Sequence, residues 1–428
     1  MKTTPKSLRL HIGLFGRTNV GKSSFLNMAA AQDVAITSPV PGTTTDVVEK
    51  AMELLPLGPV VFLDTAGLDD RSVLADLRIA KTRKIFDRAD VIVLLTEPDA
   101  WGEYEELVAA EASVRKAPLI VMVNKTDIAQ PSEAWFSRVR TKAVNVIPCS
   151  CVLTERRDAV VNAFKKTLMD VCPEEFLNPP PLIGDLVRPG GMAVMVVPID
   201  LQAPKGRLIL PQVQAVRDAL DNDAAALVVK EREYAHILST LNVRPDIVVS
   251  DSQAVLKMVA DTPPEVPCTT FSILFARYKG DLVEAARGAA VIERLAPGDR
   301  VLIAEACSHH AIEDDIGRVK IPRWLRQYAG GDLTVDVSSG RDYPENLADY
   351  RVVIHCGGCM LTRREMLFRI HRAREKGVAV TNYGVAIALV QGVLKRVLSP
   401  FPAAYEAYVC MKRQKNENRF PITAVEMA

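Results

Sequence analysis

The side chains with the most chemistry to offer in this sequence are cysteines and histidines near its end. The stretch "VVIHCGGCML", residues 352–361, places His355 directly before Cys356, with Cys359 three residues further on. Upstream, "EACSHH" supplies Cys307, His309 and His310. Thiolate and imidazole are ligands for soft and borderline metals, and Gly357 and Gly358 let the backbone wrap closely around an ion. Three thiolates with histidines suit a closed tetrahedral Cys3His zinc site. They equally suit an iron–sulfur cluster on three cysteines, with one iron left for histidine, water or another ligand. Spacing alone leaves both open. His371, alone on "REMLFRIHRAREKG", reads as an ordinary surface histidine, and the isolated cysteines as small buried apolar residues.

A second group sits at the opposite end. Gly16-Arg17-Thr18-Asn19-Val20-Gly21-Lys22-Ser23 follows an apolar run and fits G-x-x-x-x-G-K-[ST]. Such a loop turns its N–H groups around phosphates at the positive end of the next helix. Asn19, Val20, Gly21, Lys22, Ser23 and Ser24 are therefore assigned to the nucleotide. Lys22 adds charge at the terminal phosphates, and the Ser23 hydroxyl ligates Mg2+. Asp64-Thr65-Ala66-Gly67 ends the run "VVFLDTAG"; Asp64 is expected to hold Mg2+ through water and the Gly67 N–H to sense the γ-phosphate. Thr44, in "PGTTTD", is the expected switch threonine closing on the metal. Lys22, Thr44, Asp64 and Gly67 form the expected catalytic set.

Asn124-Lys125-Thr126-Asp127 chooses the base. A carboxylate at Asp127 accepts two hydrogen bonds from guanine N1–H and the exocyclic amine, a pair adenine does not present. The Lys125 stem covers the base face. Ser150-Cys151-Val152 resembles the fifth guanine-nucleotide motif, with Cys151 where alanine is usual. Order and spacing are those of translation-factor-like GTPases, so GTP is expected rather than ATP. Leu68 stands where Ras-like GTPases carry the water-positioning glutamine. Asn19 matches the asparagine that ligates potassium in GTPases of the tRNA-modification and Era-like group. K+ at Asn19 is thus expected to supply the charge an arginine finger gives elsewhere, with slow intrinsic turnover.

The elements that must carry these groups alternate along the chain. "LHIGLFG", "VVFLDTAG", "DVIVLLTE", "LIVMVNK" and "VNVIPCS" are short β-branched runs separated by helical or loop stretches, which predicts a doubly wound parallel sheet over 1–175. The Pro/Gly-rich stretch "CPEEFLNPPPLIGDLVRPGG" breaks the pattern. A small α/β unit follows at 185–262, with "MAVMVVPID", "AALVVK" and "PDIVVSD" as strands; its limited apolar area favours an oligomeric interface. After "DTPPEVPC", an α/β region at 266–428 carries strands in "DRVLIAEACSHH", "LTVDVSSG", "YRVVIHCGGC" and "GVAVTNYG". The overall expectation is a three-domain α/β protein.

Lys plus Arg number 53 and Asp plus Glu 52, a net charge of +1 over 428 residues. That balance offers no electrostatic case for nucleic acid or a membrane surface. No apolar run approaches the ~18–20 residues of a membrane helix, and the opening "MKTTPKSLRLHIGLFG" has no signal-peptide pattern. A cytoplasmic protein is expected.

A GTPase domain, a short middle α/β domain and a terminal Cys307-Ser308-His309 … His355-Cys356-Gly357-Gly358-Cys359 pattern together resemble the FeFe-hydrogenase maturation GTPases of the HydF family, along essentially the full chain. "TNYGVAIA", residues 381–388, is similar to that family's terminal segment. The resemblance implies a 4Fe-4S cluster on Cys307, Cys356 and Cys359 with an exchangeable fourth position, for which His309 and His355 are the candidates. It implies a homodimer joined through the middle domain. It further implies a scaffold that receives a transient di-iron precursor from two radical-SAM maturases and delivers it to apo FeFe-hydrogenase. The alternative is a ribosome- or tRNA-associated GTPase with a structural zinc site. That reading wants a basic face or a KH-like G-x-x-G module, and "VIHCGGC" is not such a module. A nickel-insertion GTPase would want a histidine-rich tract, whereas the chain has six scattered histidines.

Overall fold

The computed structural model describes residues 5–30, 48–64, 84–143, 145–178, 180–199, 208–306, 315–340, 343–344 and 346–417. Thr44, Gly67, Leu68, Cys307, His309 and His310 fall outside them. Two compact units divide the chain, Met1–Pro179 and Pro180–Ala428. The expected mixed α/β architecture is what is observed.

In the first unit, strands β1 (Leu10–Phe15), β2 (Val48–Leu54), β3 (Gly58–Asp64), β4 (Val91–Thr96), β5 (Leu119–Val123) and β6 (Asn145–Pro148) form one sheet, in the order β2-β3-β1-β4-β5-β6. All neighbours pair in parallel except β2 with β3. Successive residues feed opposite faces. Val91, Val93 and Leu95 join a core with Phe25 and Phe164, while Ile92 and Leu94 join another with Phe86 and Trp135. Burial on both faces is why these strands read as continuous apolar runs. Strand β2, "VEKAMEL", was not among the expected strands. Its Glu49, Lys50 and Glu53 interrupt any apolar pattern, and its place at the sheet edge tolerates them.

The second unit holds two four-stranded parallel sheets. Strands β7 (Met192–Val196), β8 (Ala225–Val229), β9 (Ile247–Ser250) and β10 (Cys268–Thr270) run in the order β10-β9-β7-β8. Strands β11 (Arg300–Ala304), β12 (Thr334–Ser338), β13 (Val352–His355) and β14 (Ala379–Asn382) run in the order β12-β11-β13-β14. Strand β10, which the sequence division grouped with the last segment, pairs with β9 in the earlier sheet. One apolar core runs through both sheets: Val194 and Val248 from the first, Ile303 and Ile354 from the second, and Phe275 and Ile387 from helices between. Val353 and Leu302 face a smaller core on the far side, with Tyr350 and Ile370.

Gly288, in helix Leu282–Ile292, marks the closest approach of that helix to its sheet. A Cβ there would lie 2.0 Å from the Val380 carbonyl oxygen and 2.5 Å from its carbon. In an open helix Gly→Ala gains about 1 kcal/mol. Here the sign reverses, because a strand backbone cannot step aside. Gly288→Ala is expected to destabilise the second unit by about 1–3 kcal/mol, read as a lower urea midpoint by circular dichroism.

Candidate functional site

Register places the nucleotide motifs at one edge of the first sheet. Leu14 pairs with Asp64, Phe15 with Leu94, Thr96 with Val123, and Val123 with Pro148. Strands β1 and β4 are neighbours whose chains leave toward opposite sides, the crevice where ligands bind in open α/β sheets. The loop after β1 needs its unusual residues. Gly21 has φ +101°, and a Cβ on it would meet Asn124 Nδ2 at 2.2 Å. Asn19 has φ +61°, a left-handed conformation asparagine tolerates. Lys22 opens helix Lys22–Ala30 and donates to the carbonyls of Gly16 (2.6 Å) and Arg17 (2.9 Å). Ser23 and Ser24 follow it, exposed.

Asn124 is the hub of this edge. Its Nδ2 donates to Val20 O at 2.8 Å, and its Oδ1 accepts from Cys151 N at 3.0 Å. Its own N–H donates to Thr96 O. One buried amide therefore joins the phosphate loop, the base motif and the fifth motif. Lys125, at φ +63°, pairs with Glu97, while Asp127 stands exposed. Ser150 is buried. The Cys149 thiol donates to Asn124 Oδ1 at 3.9 Å, and its closeness to Cys151 lowers the Cys151 pKa against burial and the nearby Asp127 charge. Asp64 is buried at the end of β3, with Lys50 Nζ 4.0 Å from its Oδ2.

Two supports here carry no sequence signal. Arg17 makes a two-pronged pair with Glu105, Nε–Oε1 2.8 Å and Nη2–Oε2 2.7 Å. Tyr104 accepts from Gly16 N at 3.2 Å through its hydroxyl. Both partners lie on helix Glu103–Val114, whose first turn Glu105 also caps at Gly102 N. Only a motif-independent contact across 88 residues exposes them.

The cysteine site repeats the same logic in the last sheet. Strands β11 and β13 are neighbours, with Ala304 opposite His355, and their chains continue to β12 and β14 on opposite sides. The crevice between their ends receives Cys356 directly and the chain leading to Cys307. Cys356 N donates to Ala304 O at 3.0 Å, and Ala306 N donates to Cys356 Sγ at 3.1 Å. Burial pushes the Cys356 thiol up, while the Gly358 and Ala306 N–H groups favour the thiolate. Gly358 turns at φ +61°, and Gly357 has open space around its Cα. Two N–H donors to sulfur on a glycine turn fit a thiolate-bound metal group. Cys359 is also pushed up by burial, with Lys279 opposing.

Surrounding groups are heavily engaged. His355 is 2 % exposed and stacks on Tyr343 with centroids 5.6 Å apart. Its Nε2 lies 3.4 Å from the Tyr343 hydroxyl, and among the described residues its Nδ1 has no hydrogen-bond partner. Burial, aided by Arg369, pushes its pKa down to about 3, so the ring is neutral. A cavity of about 30 Å³ beside it is lined by His355, Cys356, Gly357, Asp281, Glu284 and Thr381 among others. Glu305 accepts from Arg318 Nε (3.1 Å) and Nη2 (3.0 Å), and Asp315 accepts from Arg318 N. The two flanks of the segment bearing Cys307 are thereby fastened together. Lys279 is 1 % exposed, and burial lowers its pKa to about 8 against the nearby Cys359, Glu365 and Cys356 charges. Among the described residues, no group of three or more His, Cys, Asp or Glu forms a metal site. His371 is exposed and pairs with Glu375, as an ordinary surface histidine does.

Three domain families match this chain. Residues 11–125 match the 50S ribosome-binding GTPase family, residues 182–280 the hydrogen maturase F dimerization domain, and residues 283–400 the hydrogen maturase F tetramerization domain. The chain belongs to the HydF family. Together the matches describe a HydF-family hydrogen maturase with an N-terminal GTPase domain, which bears out the resemblance. The HydF dimerization and tetramerization domains are those of a self-associating protein.

Further likenesses are narrower. The tRNA modification GTPase MnmE of Synechococcus sp. (strain JA-3-3Ab) is 43% identical over 122 residues, 28% of this chain and 26% of that protein. MnmE of Prochlorococcus marinus (strain NATL1A) is 36% identical over 162 residues, 37% of this chain and 34% of that protein. The chain thus spans 26% to 34% of the length of these relatives, at the level of the GTPase domain. A solved structure of Era from Aquifex aeolicus aligns at TM-score 0.31 and 19% identity, covering 54% of this chain and 98% of that one. No helix among the described residues is long and apolar enough to cross a membrane.

Asn124→Ala removes three side-chain hydrogen bonds, with Val20 O, Cys151 N and the Cys149 thiol, and strands the Val20 carbonyl and Cys151 N–H. At roughly 1–3 kcal/mol for groups left unpaired, GTP affinity is expected to fall about 10–100-fold. Titration with a fluorescent GTP analogue measures it.

Proposed function

We propose that this chain is a GTP-hydrolysing scaffold of hydrogenase maturation, which receives a di-iron precursor and passes it to apo FeFe-hydrogenase. The observation that carries the reading is the Cys356 loop at the crevice between β11 and β13, its sulfur accepting from Ala306 N in the chain that leads to Cys307, within a region matching HydF domains. Cys307, Cys356 and Cys359 would hold a 4Fe-4S cluster. When bound, that cluster offers one iron to an exchangeable ligand. His355, neutral and with no hydrogen bond at Nδ1 among the described residues, has the donor chemistry for that position, and His309 is the other candidate. Three fixed ligands and one labile one suit a carrier, which must both protect and release its cargo.

The working arrangement has three regions, 1–175, 185–262 and 266–428, with self-association through the middle one. In the first, Asn19, Val20, Gly21, Lys22, Ser23 and Ser24 take the phosphates. Asn124, Lys125, Asp127, Ser150 and Cys151 take the guanine end, Asn124 by tying the loops together. Ser23, Thr44 and Asp64 hold Mg2+, and Gly67 reads the γ-phosphate. K+ at Asn19 completes the charge around a slow hydrolysis. Switch segments at Thr44 and Asp64–Gly67 change domain or partner contacts between nucleotide states, to release either the radical-SAM maturases or the cargo. The setting is the cytoplasm. Neutral charge balance speaks against the RNA-bound alternative.

Two measurements test this. Anaerobic reconstitution should give a brown protein with about four irons and four sulfides per chain, and Cys359→Ser should lose most of both. A colourless wild type holding only zinc would end the scaffold reading. Separately, GTP turnover should rise at least about tenfold when K+ replaces Na+, as expected if a bound cation stabilises transition-state charge; equal rates would remove the cation from Asn19.

A further inference from the structure

Lys279 belongs to no motif, yet it is the most deeply placed charge near the cysteine loop. It ends helix Phe271–Lys279, "FSILFARYK", and is 1 % exposed. Its Nζ donates to Leu361 O at 2.9 Å, Cys359 O at 3.1 Å and Gly358 O at 3.4 Å. Among the described residues these three carbonyls accept from it, a set that suits the three hydrogens of an ammonium better than the two of a neutral amine. Its Nζ also lies over the Phe275 ring, 5.8 Å from the centroid. Helix Arg363–Glu375 starts just beyond the loop, where Thr362 and Glu365 cap each other: Thr362 N to Glu365 Oε2 at 2.9 Å and Glu365 N to Thr362 Oγ1 at 3.1 Å.

A lysine in a helix's last turn is ordinarily a solvated partner of the helix dipole. Here it is buried instead, where an ammonium costs several kcal/mol unless neighbouring negative charge offsets it. The buried Glu365 carboxylate supplies part of that offset, and thiolates at Cys356 and Cys359, carrying a cluster whose negative charge grows on reduction, would supply more. We propose that Lys279 is a positioning residue for the cluster: it pins the Gly358–Leu361 backbone and sets a fixed positive charge against the cluster, raising its reduction potential. The inference rests on the cluster reading above.

The test uses the full chain, reconstituted anaerobically with iron and sulfide. Wild type, Lys279→Met and Lys279→Arg are titrated under electron-paramagnetic-resonance detection, and amide exchange of residues 356–362 is followed in the metal-free proteins. Lys279→Met should exchange faster in that loop and shift the cluster to lower potential. The expected shift is at least tenfold in the oxidised-to-reduced ratio, about 59 mV for one electron, and Lys279→Arg should restore most of it. Should the Met variant fail to fold, Glu365→Gln, which keeps a capping acceptor and removes a negative charge, should shift the potential upward. A wild type that takes up no cluster overturns the cluster reading and this role with it. A wild type that loads normally, with the potential unmoved in Lys279→Met or in Glu365→Gln, overturns the Lys279 assignment alone.

Discussion

Parallel pairing is the constraint on which both sites depend. Strands that run the same way finish at the same edge, and their loops must leave from that edge together. Leu14 opposite Asp64 and Phe15 opposite Leu94 put the phosphate loop beside the end of β3 and β4. Ala304 opposite His355 does the same for the cysteine site, so that Ala306 N reaches Cys356 Sγ across 50 residues of chain. A slip of one residue in either register would turn every inward side chain outward and take the loops with it. Burial on both faces, as in β1 and β4, makes such a slip expensive.

Once the loops share an edge they still need holding, and the two sites are held by different means. At the nucleotide edge the central element is neutral: the Asn124 amide, donating to one loop and accepting from another. Its charged support, Arg17 with Glu105, is half open to water, since the Arg17 side chain is 55% exposed and that of Glu105 1%. At the cysteine edge the supports are buried charges, Lys279 under the loop and Glu305 gripped by Arg318. Removing one member of such a set leaves the other stranded in a low dielectric, so these groups specify geometry strongly whatever they add to net stability. A nucleotide loop built mainly on backbone donors has less need of them.

Much of this was legible in the residues themselves. The apolar runs in the first sheet stand where strands stand, because strands buried on both faces need no alternation to be recognised. Strand β2 was hidden by Glu49, Lys50 and Glu53, and β10 by being only three residues, "CTT", too short for any period. Residue types alone pointed to phosphate at Gly16–Ser23 and to guanine at Asn124–Asp127, in keeping with the GTPase-family match over residues 11–125, and raised the expectation of a thiolate-bound metal group at Cys307, Cys356 and Cys359. Local chemistry is written locally, since a loop that must turn at positive φ needs glycine or asparagine and a Cys-x-x-Cys pair sets two donors on one turn.

Tertiary structure alone decided the rest. That Asn124 ties the protein's own loops together, that Glu105 and Tyr104 brace the phosphate loop, and that Lys279 lies under the cysteine turn all depend on contacts across 79 to 104 residues. No periodicity records such pairs. A lysine at a helix end looks the same in sequence whether water or three carbonyls receive its hydrogens, and only the packing of helix against loop distinguishes them.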